Sequence, residues 1–339
     1  MKLFHPRSAL VVAFLGLLCL SECVEADRPV EASEILAVTV ARHQEPWVLK
    51  QKLSAVADMI GVTNHSLFRR WWKPATCLAL ITGVFFFWQR LRPSNYRDWA
   101  TEYARTPWAE IAGDQVTIHN FRNCEYRTAN DFTAHWETKT FTLSKLCGLD
   151  LFMNYWGSRH IAHTLLSFDF GDEGKVCTSI ETRRERHEPF SALRGFFRQY
   201  ELYYVIGDER DLIGVRTNYR SQDVYLYRLA GADPQRYRSL FLTYLRSAND
   251  LRDRPRWYHA TMSNCTTNIR LNAQASGFAF AWNWRLLVNG HLDELLYRRG
   301  IISSAFCFTE TKTRAQIKSR ARDVDSPLDF SERIRIPLS

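Results

Sequence analysis

The sequence predicts an α+β domain, and three observations carry that expectation. Short segments alternate apolar and polar residues as half-buried strands do, and longer ones repeat apolar residues every three to four positions as amphipathic helices do. The order of these segments is mixed, with a tight hairpin among the strands, and a doubly wound sheet would alternate strand and helix regularly. With 339 residues, 46% of them hydrophobic and 14% aromatic, the chain is long enough to bury a sizeable core.

Strands are expected at Gln115–Phe121, Lys139–Leu143, His163–Phe170, Val176–Thr182, Leu202–Ile206 and Val224–Leu229. Gly171-Asp172-Glu173-Gly174 is a turn that joins the third and fourth of these as a hairpin. Pro234–Leu251 reads as a helix whose apolar positions are Tyr237, Leu240, Phe241, Tyr244, Leu245 and Ala248. Further helices are expected from Cys265 onward and around His291–Arg299.

Two apolar stretches precede this domain. Residues 1–23 carry a short basic start and then an apolar core of signal-peptide or signal-anchor length. Residues 24–73 form a polar linker with a helical pattern at Ser54–Ile60. Pro74–Trp88 holds no charge and is bracketed by Trp71, Trp72, Lys73 and Arg90, so residues 74–90 are expected to form a transmembrane helix. The remaining unit is then 93–339.

A formal charge of +9 with scattered arginines suits contact with anionic surfaces such as phospholipid headgroups. No basic-aromatic motif of a nucleic-acid reader occurs, so nucleic acid is not an expected partner. Eight cysteines are present, none in a C-x-x-C pair, and the histidines do not cluster with them, so neither a metal nor another cofactor is expected. In an oxidising compartment one disulfide among Cys124, Cys147 and Cys177 is allowed.

Cys265 is the residue with most chemistry in its setting. It lies in Ser263-Asn264-Cys265-Thr266-Thr267-Asn268 and opens a helical run, and a helix N-terminus favours the thiolate that does the attacking. The bland alternative is a buried structural thiol. The general base that fits is His163, which starts an apolar strand and is thereby held; His160, three residues earlier, sits in a turn. Glu181 on the adjacent strand is placed to accept from the second ring nitrogen, although a solvated carboxylate near Arg183 and Arg184 is the competing account. Asn264 and Thr266 flank the nucleophile as oxyanion supports. Together these residues suggest a cysteine-dependent acyl-transfer enzyme.

Several longer motifs add a resemblance. Leu91-Arg92-Pro93-Ser94-Asn95, Val116-Thr117-Ile118-His119-Asn120, Tyr155-Trp156-Gly157 with Ile161-Ala162-His163-Thr164, Phe197-Arg198-Gln199-Tyr200-Glu201-Leu202, Asp208-Glu209-Arg210-Asp211-Leu212 and Asn264-Cys265-Thr266-Thr267 resemble the Lnb N-terminal periplasmic domain family of bacterial membrane-anchored proteins. The His-before-Cys order is similar to circularly permuted papain-like folds of the NlpC type. The resemblance implies Cys265 as nucleophile, His163 as base and a polar orienter on the next strand. It also implies an inner-membrane protein with its catalytic domain in the periplasm. Lnb is associated with N-acylation of lipoproteins, which implies a phospholipid or lipoprotein substrate and a thioester intermediate. Tyr155 and Arg198, both in motif segments, are the remaining candidates for substrate contact, with loop-holding ion pairs the plainer account of Arg198. A cell-wall peptidase or amidase of the same fold, or a non-catalytic envelope binding module, are the competing functions.

Overall fold

The structure is a computed structural model that describes residues 65–155, 157–189, 191, 195, 197–230, 233–259, 265–278, 283, 285, 289–322 and 329–336. It divides into two units, Met1–Arg92 and Pro93–Ser339. The expected leader, residues 1–23, and the helical pattern at Ser54–Ile60 lie outside the described residues.

In the first unit a single helix is described, α1 (His65–Arg90), with Pro74 inside it. From Pro74 onward its side chains are largely exposed, Leu78 by 65% and Phe86 by 62%. Among the described residues no helix is long and apolar enough to cross a membrane, and the expected span at 74–90 is not shown. The uncharged run Pro74–Trp88 rises only ~22 Å at 1.5 Å per residue, against a hydrocarbon core of ~30 Å.

The second unit is α+β, as expected. Ten strands are described: β1 (Trp108–Ala112), β2 (Gln115–Arg122), β3 (Glu125–Tyr126), β4 (Phe132–Thr133), β5 (Trp136–Thr142), β6 (Gly148–Tyr155), β7 (Ala162–Asp169), β8 (Lys175–Arg183), β9 (Glu201–Gly207) and β10 (Asp223–Leu229). Eight of them form one sheet in the order β1-β2-β9-β8-β7-β6-β10, with β5 also on β2. Its pairings are antiparallel except at Arg122↔Gly207, where β2 meets β9 in parallel. Gly207 admits this contact because a Cβ there would meet the Arg122 carbonyl oxygen. The expected hairpin forms, as β7 pairs with β8 across the short 3₁₀ turn Gly171–Glu173, with Gly171 and Gly174 at φ of 62° and 93°.

Three helices cover one face. In α3 (Pro234–Asp253), Pro234 takes the first turn, Asp233 caps it by accepting from the Gln235 N–H at 3.0 Å, and Tyr237, Leu240, Phe241, Tyr244, Leu245, Ala248 and Leu251 form the buried stripe. With α4 (Cys265–Ala275) and α5 (Leu292–Arg298) it encloses a core that includes Leu151, Leu166, Phe168 and Ile180. The opposite face packs Phe152, Leu165, Val205, Val224 and Leu226 against α2 (Glu209–Leu212), a π turn (Val215–Tyr219) and the C-terminal helices α7 (Lys318–Arg322) and α8 (Phe330–Arg333). Between α5 and α7 lies α6 (Phe308–Ala315). Cys124, Cys147 and Cys177 are all free thiols, so the allowed disulfide is not formed.

Candidate active site

The site begins where two strands part. The β7–β8 ladder runs from Asp169↔Lys175 to Leu165↔Ser179 and stops there. Beyond that point β7 remains with β6 as far as Tyr155↔Ala162, and β8 remains with β9 as far as Arg183↔Glu201. Continued register would set His163 opposite Glu181, and in the fork between the strands these two side chains meet. His163 Nε2 is 2.7 Å from Ser179 Oγ and 3.3 Å from Glu181 Oε1. Ser179 donates its hydroxyl to Glu181 Oε1 at 2.8 Å, so its oxygen is free to accept from the ring. Arg216 Nη2 donates to the same carboxylate oxygen at 2.7 Å.

Above the fork, α4 packs over β7 and β8 and brings Cys265, its first described residue, to the ring. Cys265 is 9% exposed, and its thiol hydrogen-bonds to His163, whose Nε2 faces Ser179 and Glu181. Thr266 Oγ1 lies 3.7 Å from the sulfur and Asn289 Nδ2 lies 3.8 Å from it. Asn289 is fixed at both ends of its amide. Its Oδ1 accepts from the Ala162 N–H at 2.9 Å, and its Nδ2 donates to Thr266 Oγ1 at 2.9 Å.

Charge follows this geometry. Burial resists ionisation of Glu181, yet the charges of His163 and Arg216 hold it well below the usual carboxylate range. Burial likewise works against a charged His163, and the Glu181 carboxylate, together with hydrogen bonds to Cys265 and Glu181, outweighs it and raises the ring to about 9. For Cys265 burial favours the neutral thiol; the hydrogen bond and positive charge of His163, with hydrogen bonds from Thr266 and Thr164, bring it down to about 7. Tyr258 stays a neutral phenol, held so by burial and by the charges of Cys265 and Glu181. A thiolate beside an imidazolium whose far side is anchored by a carboxylate is an arrangement built for nucleophilic attack on a carbonyl.

Residues 132–290 match the Lnb N-terminal periplasmic domain family. That span holds His163, Glu181, Cys265 and Asn289, all the groups of the fork. No curated protein and no solved structure matches the chain.

Of the residues singled out in the sequence, the fold brings four together: Cys265, His163, Glu181 and Thr266. Asn264 lies outside the described residues. Tyr155 pairs with Ala162, next to His163, but its hydroxyl is committed to the Gly290 carbonyl at 2.8 Å and to Asp293 and Lys312. Arg198 stands half-buried on the loop entering β9, with a left-handed φ of 51°. His160 is exposed in its turn, its Nδ1 3.0 Å from His291 Nε2. Among the described residues no cluster of three or more His, Cys, Asp or Glu is fit to hold a metal ion. Sequence reasoning missed Asn289, Ser179, Arg216 and Tyr258. An asparagine before a glycine reads as a turn, and only the return of that loop to Ala162 gives Asn289 its place.

Proposed function

We propose that this Lnb-type protein is a cysteine-dependent acyltransferase or hydrolase of the bacterial envelope. The observation that carries the reading is the hydrogen-bonded trio Cys265, His163 and Glu181 in the fork of the sheet, with the thiol tuned to about 7. The Cys265 thiolate attacks an ester carbonyl carbon, a C–S bond forms as the C–O bond breaks, and the leaving alcohol takes the proton held on His163. An amine or water then attacks the thioester, gives its proton to His163, and releases the acyl group as amide or acid. Asn289 Nδ2 and the backbone near Cys265 are the donors proposed for the oxyanion, with Asn264 beside them. Tyr155 and Arg198 remain proposals for substrate contact.

The His-then-Cys order on a strand and a helix supports a circularly permuted papain-like assignment. The matched family is described as a periplasmic domain, which supports placing residues 93–339 on that side of the inner membrane. The exposed apolar side chains of α1, Leu78, Leu80, Ile81 and Phe85 to Phe87, support its use as the membrane attachment.

Intact-mass analysis of the full chain incubated with phospholipid vesicles, and separately with muropeptide, tests the reaction. The expected result is an acyl adduct from phospholipid that is absent in Cys265→Ser. An adduct from muropeptide alone would reassign the substrate to wall peptide, and turnover in Cys265→Ser would end the cysteine mechanism.

A further inference from the structure

Ser179 stands between the base and its carboxylate. It is buried on β8, and its hydroxyl oxygen makes two short contacts, 2.7 Å to His163 Nε2 and 2.8 Å to Glu181 Oε1. The direct approach of Nε2 to Glu181 Oε1 is longer, at 3.3 Å. A hydroxyl has one hydrogen to give, and each short contact needs one between its two atoms. The ionised carboxylate has none, so the serine hydrogen lies on the Glu181 side. Were it turned to the ring, two oxygens, one of them charged, would face each other at 2.8 Å with nothing between. The hydrogen in the 2.7 Å contact therefore comes from the ring.

We infer that Ser179 is the positioning residue that orients His163, its hydroxyl accepting the Nε2 hydrogen while Glu181 holds that hydroxyl in place. Orientation and charge are thereby divided between two residues. Glu181 is itself anchored from another element. Arg216 of the π turn donates Nη2 to Glu181 Oε1 at 2.7 Å and Nη1 to the Leu212 carbonyl, so the carboxylate is held back and acts on the ring chiefly as a charge. Because the accepting serine oxygen stays in place in both protonation states, Nε2 keeps its hydrogen throughout, and the proton that comes and goes is the one on Nδ1. An unheld imidazole would exchange tautomers and swing about its side-chain bonds, and only part of its population would be ready to act. The inference rests on the cysteine reading for its consequence in turnover, and it adds the residue that sets the tautomer of the base.

Two measurements on the purified full-length chain test this. The first needs no turnover. With histidine labelled by nitrogen-15, and the His163 signals assigned by their loss in His163→Ala, long-range proton–nitrogen correlation reads the tautomer at a pH well above 9, where the ring is neutral. The expected result is the Nε2–H form in wild type and a mixture of both forms in Ser179→Ala. An Nδ1–H ring in wild type, or an Nε2–H form undiminished in Ser179→Ala, would overturn the inference. Should Ser179→Ala fail to fold, Ser179→Cys takes its place under the same criteria, since sulfur is a weak acceptor of similar shape. The second measurement compares kcat for para-nitrophenyl acetate with the pH dependence of Cys265 alkylation by iodoacetamide. Ser179→Ala is expected to lower kcat by about tenfold or more with KM near the wild-type value, because a loosened base is less often in line. Alkylation is expected still to rise near pH 7, because the charges of Glu181 and Arg216 remain. An unchanged kcat, or an alkylation rise displaced by about one pH unit or more, would overturn the inference, the latter by making Ser179 part of the charge balance. If wild type turns over no ester while the tautomer result holds, the cysteine reading fails and Ser179 stands as the residue that sets His163.

Discussion

One proton is shared at Cys265 between a burial that favours the thiol and a histidine that favours the thiolate, and the histidine prevails because Glu181 backs it. The sulfur titrates near 7 and the ring near 9, so the reactive ion pair exists between them. Below the lower value the sulfur is protonated; above the upper one the leaving group finds no proton on His163. Turnover is expected to trace a bell that rises near pH 7 and falls near pH 9, while alkylation of Cys265 rises through pH 7 without the later fall; a kcat/KM profile and iodoacetamide rates check both. Removing the ring in His163→Ala is expected to cost orders of magnitude, and His160→Ala little, since His160 meets His291 in an exposed turn. Asn289→Ala is expected to lower kcat by about 10²-fold with substrate binding largely kept, as loss of one oxyanion donor does. Cys265, His163 and Glu181 were legible in the sequence as residue types in suitable settings. Asn289 was not, because its role comes from the loop that carries it back to Ala162.

At the scale of elements, legibility followed periodicity. The helix Pro234–Asp253 and the strand Gln115–Arg122, whose burial alternates at its start, carry their pattern openly. In contrast Gly148–Tyr155, one strand in from the edge strand Asp223–Leu229, has both faces buried, so it shows an apolar run with Asp150 inside it instead of an alternation. The short helices Phe308–Ala315 and Lys318–Arg322 are rich in charge and acquire their order from tertiary contact. The fork at Leu165↔Ser179 is likewise invisible in sequence, since both strands continue past it with other neighbours. One glycine holds the loop above the fork in place. A Cβ on Gly290 would collide with the Arg159 carbonyl and the His160 backbone, and the Gly290 N–H donates to the His160 carbonyl at 3.0 Å. Gly290→Ala is therefore expected to displace Asn289 and lower activity by about tenfold or more, with far-ultraviolet circular dichroism unchanged; undiminished turnover would show that Asn289 does not act.

Across the whole molecule the two faces of the sheet are closed by different parts of the chain. The face carrying Cys265 is covered by segments close to it in sequence, whereas the other is sealed by the last described residues. Arg335 donates to Asp150 Oδ2 at 2.8 Å and to both oxygens of Glu209, and Phe330 and Ile334 complete the apolar cluster beneath. Asp150 and Glu209 are nearly fully buried, so Arg335→Ala is expected to lose about 3 kcal/mol, measured by urea denaturation, because it strips Glu209 of its ion pair and leaves Asp150 with Arg228. Seen in the order in which the chain is made, Asp150 meets Arg228 first, at 2.7 Å, and Arg335 joins it from 185 positions further along. Until that arginine has emerged, Glu209 lacks its ion pair in what will become the core. The thiol is therefore expected to reach its tuned setting only after Arg335 has been made. A nascent chain arrested before Asp329 should remain sensitive to protease and slow to alkylate at Cys265, and one arrested beyond residue 336 should be neither.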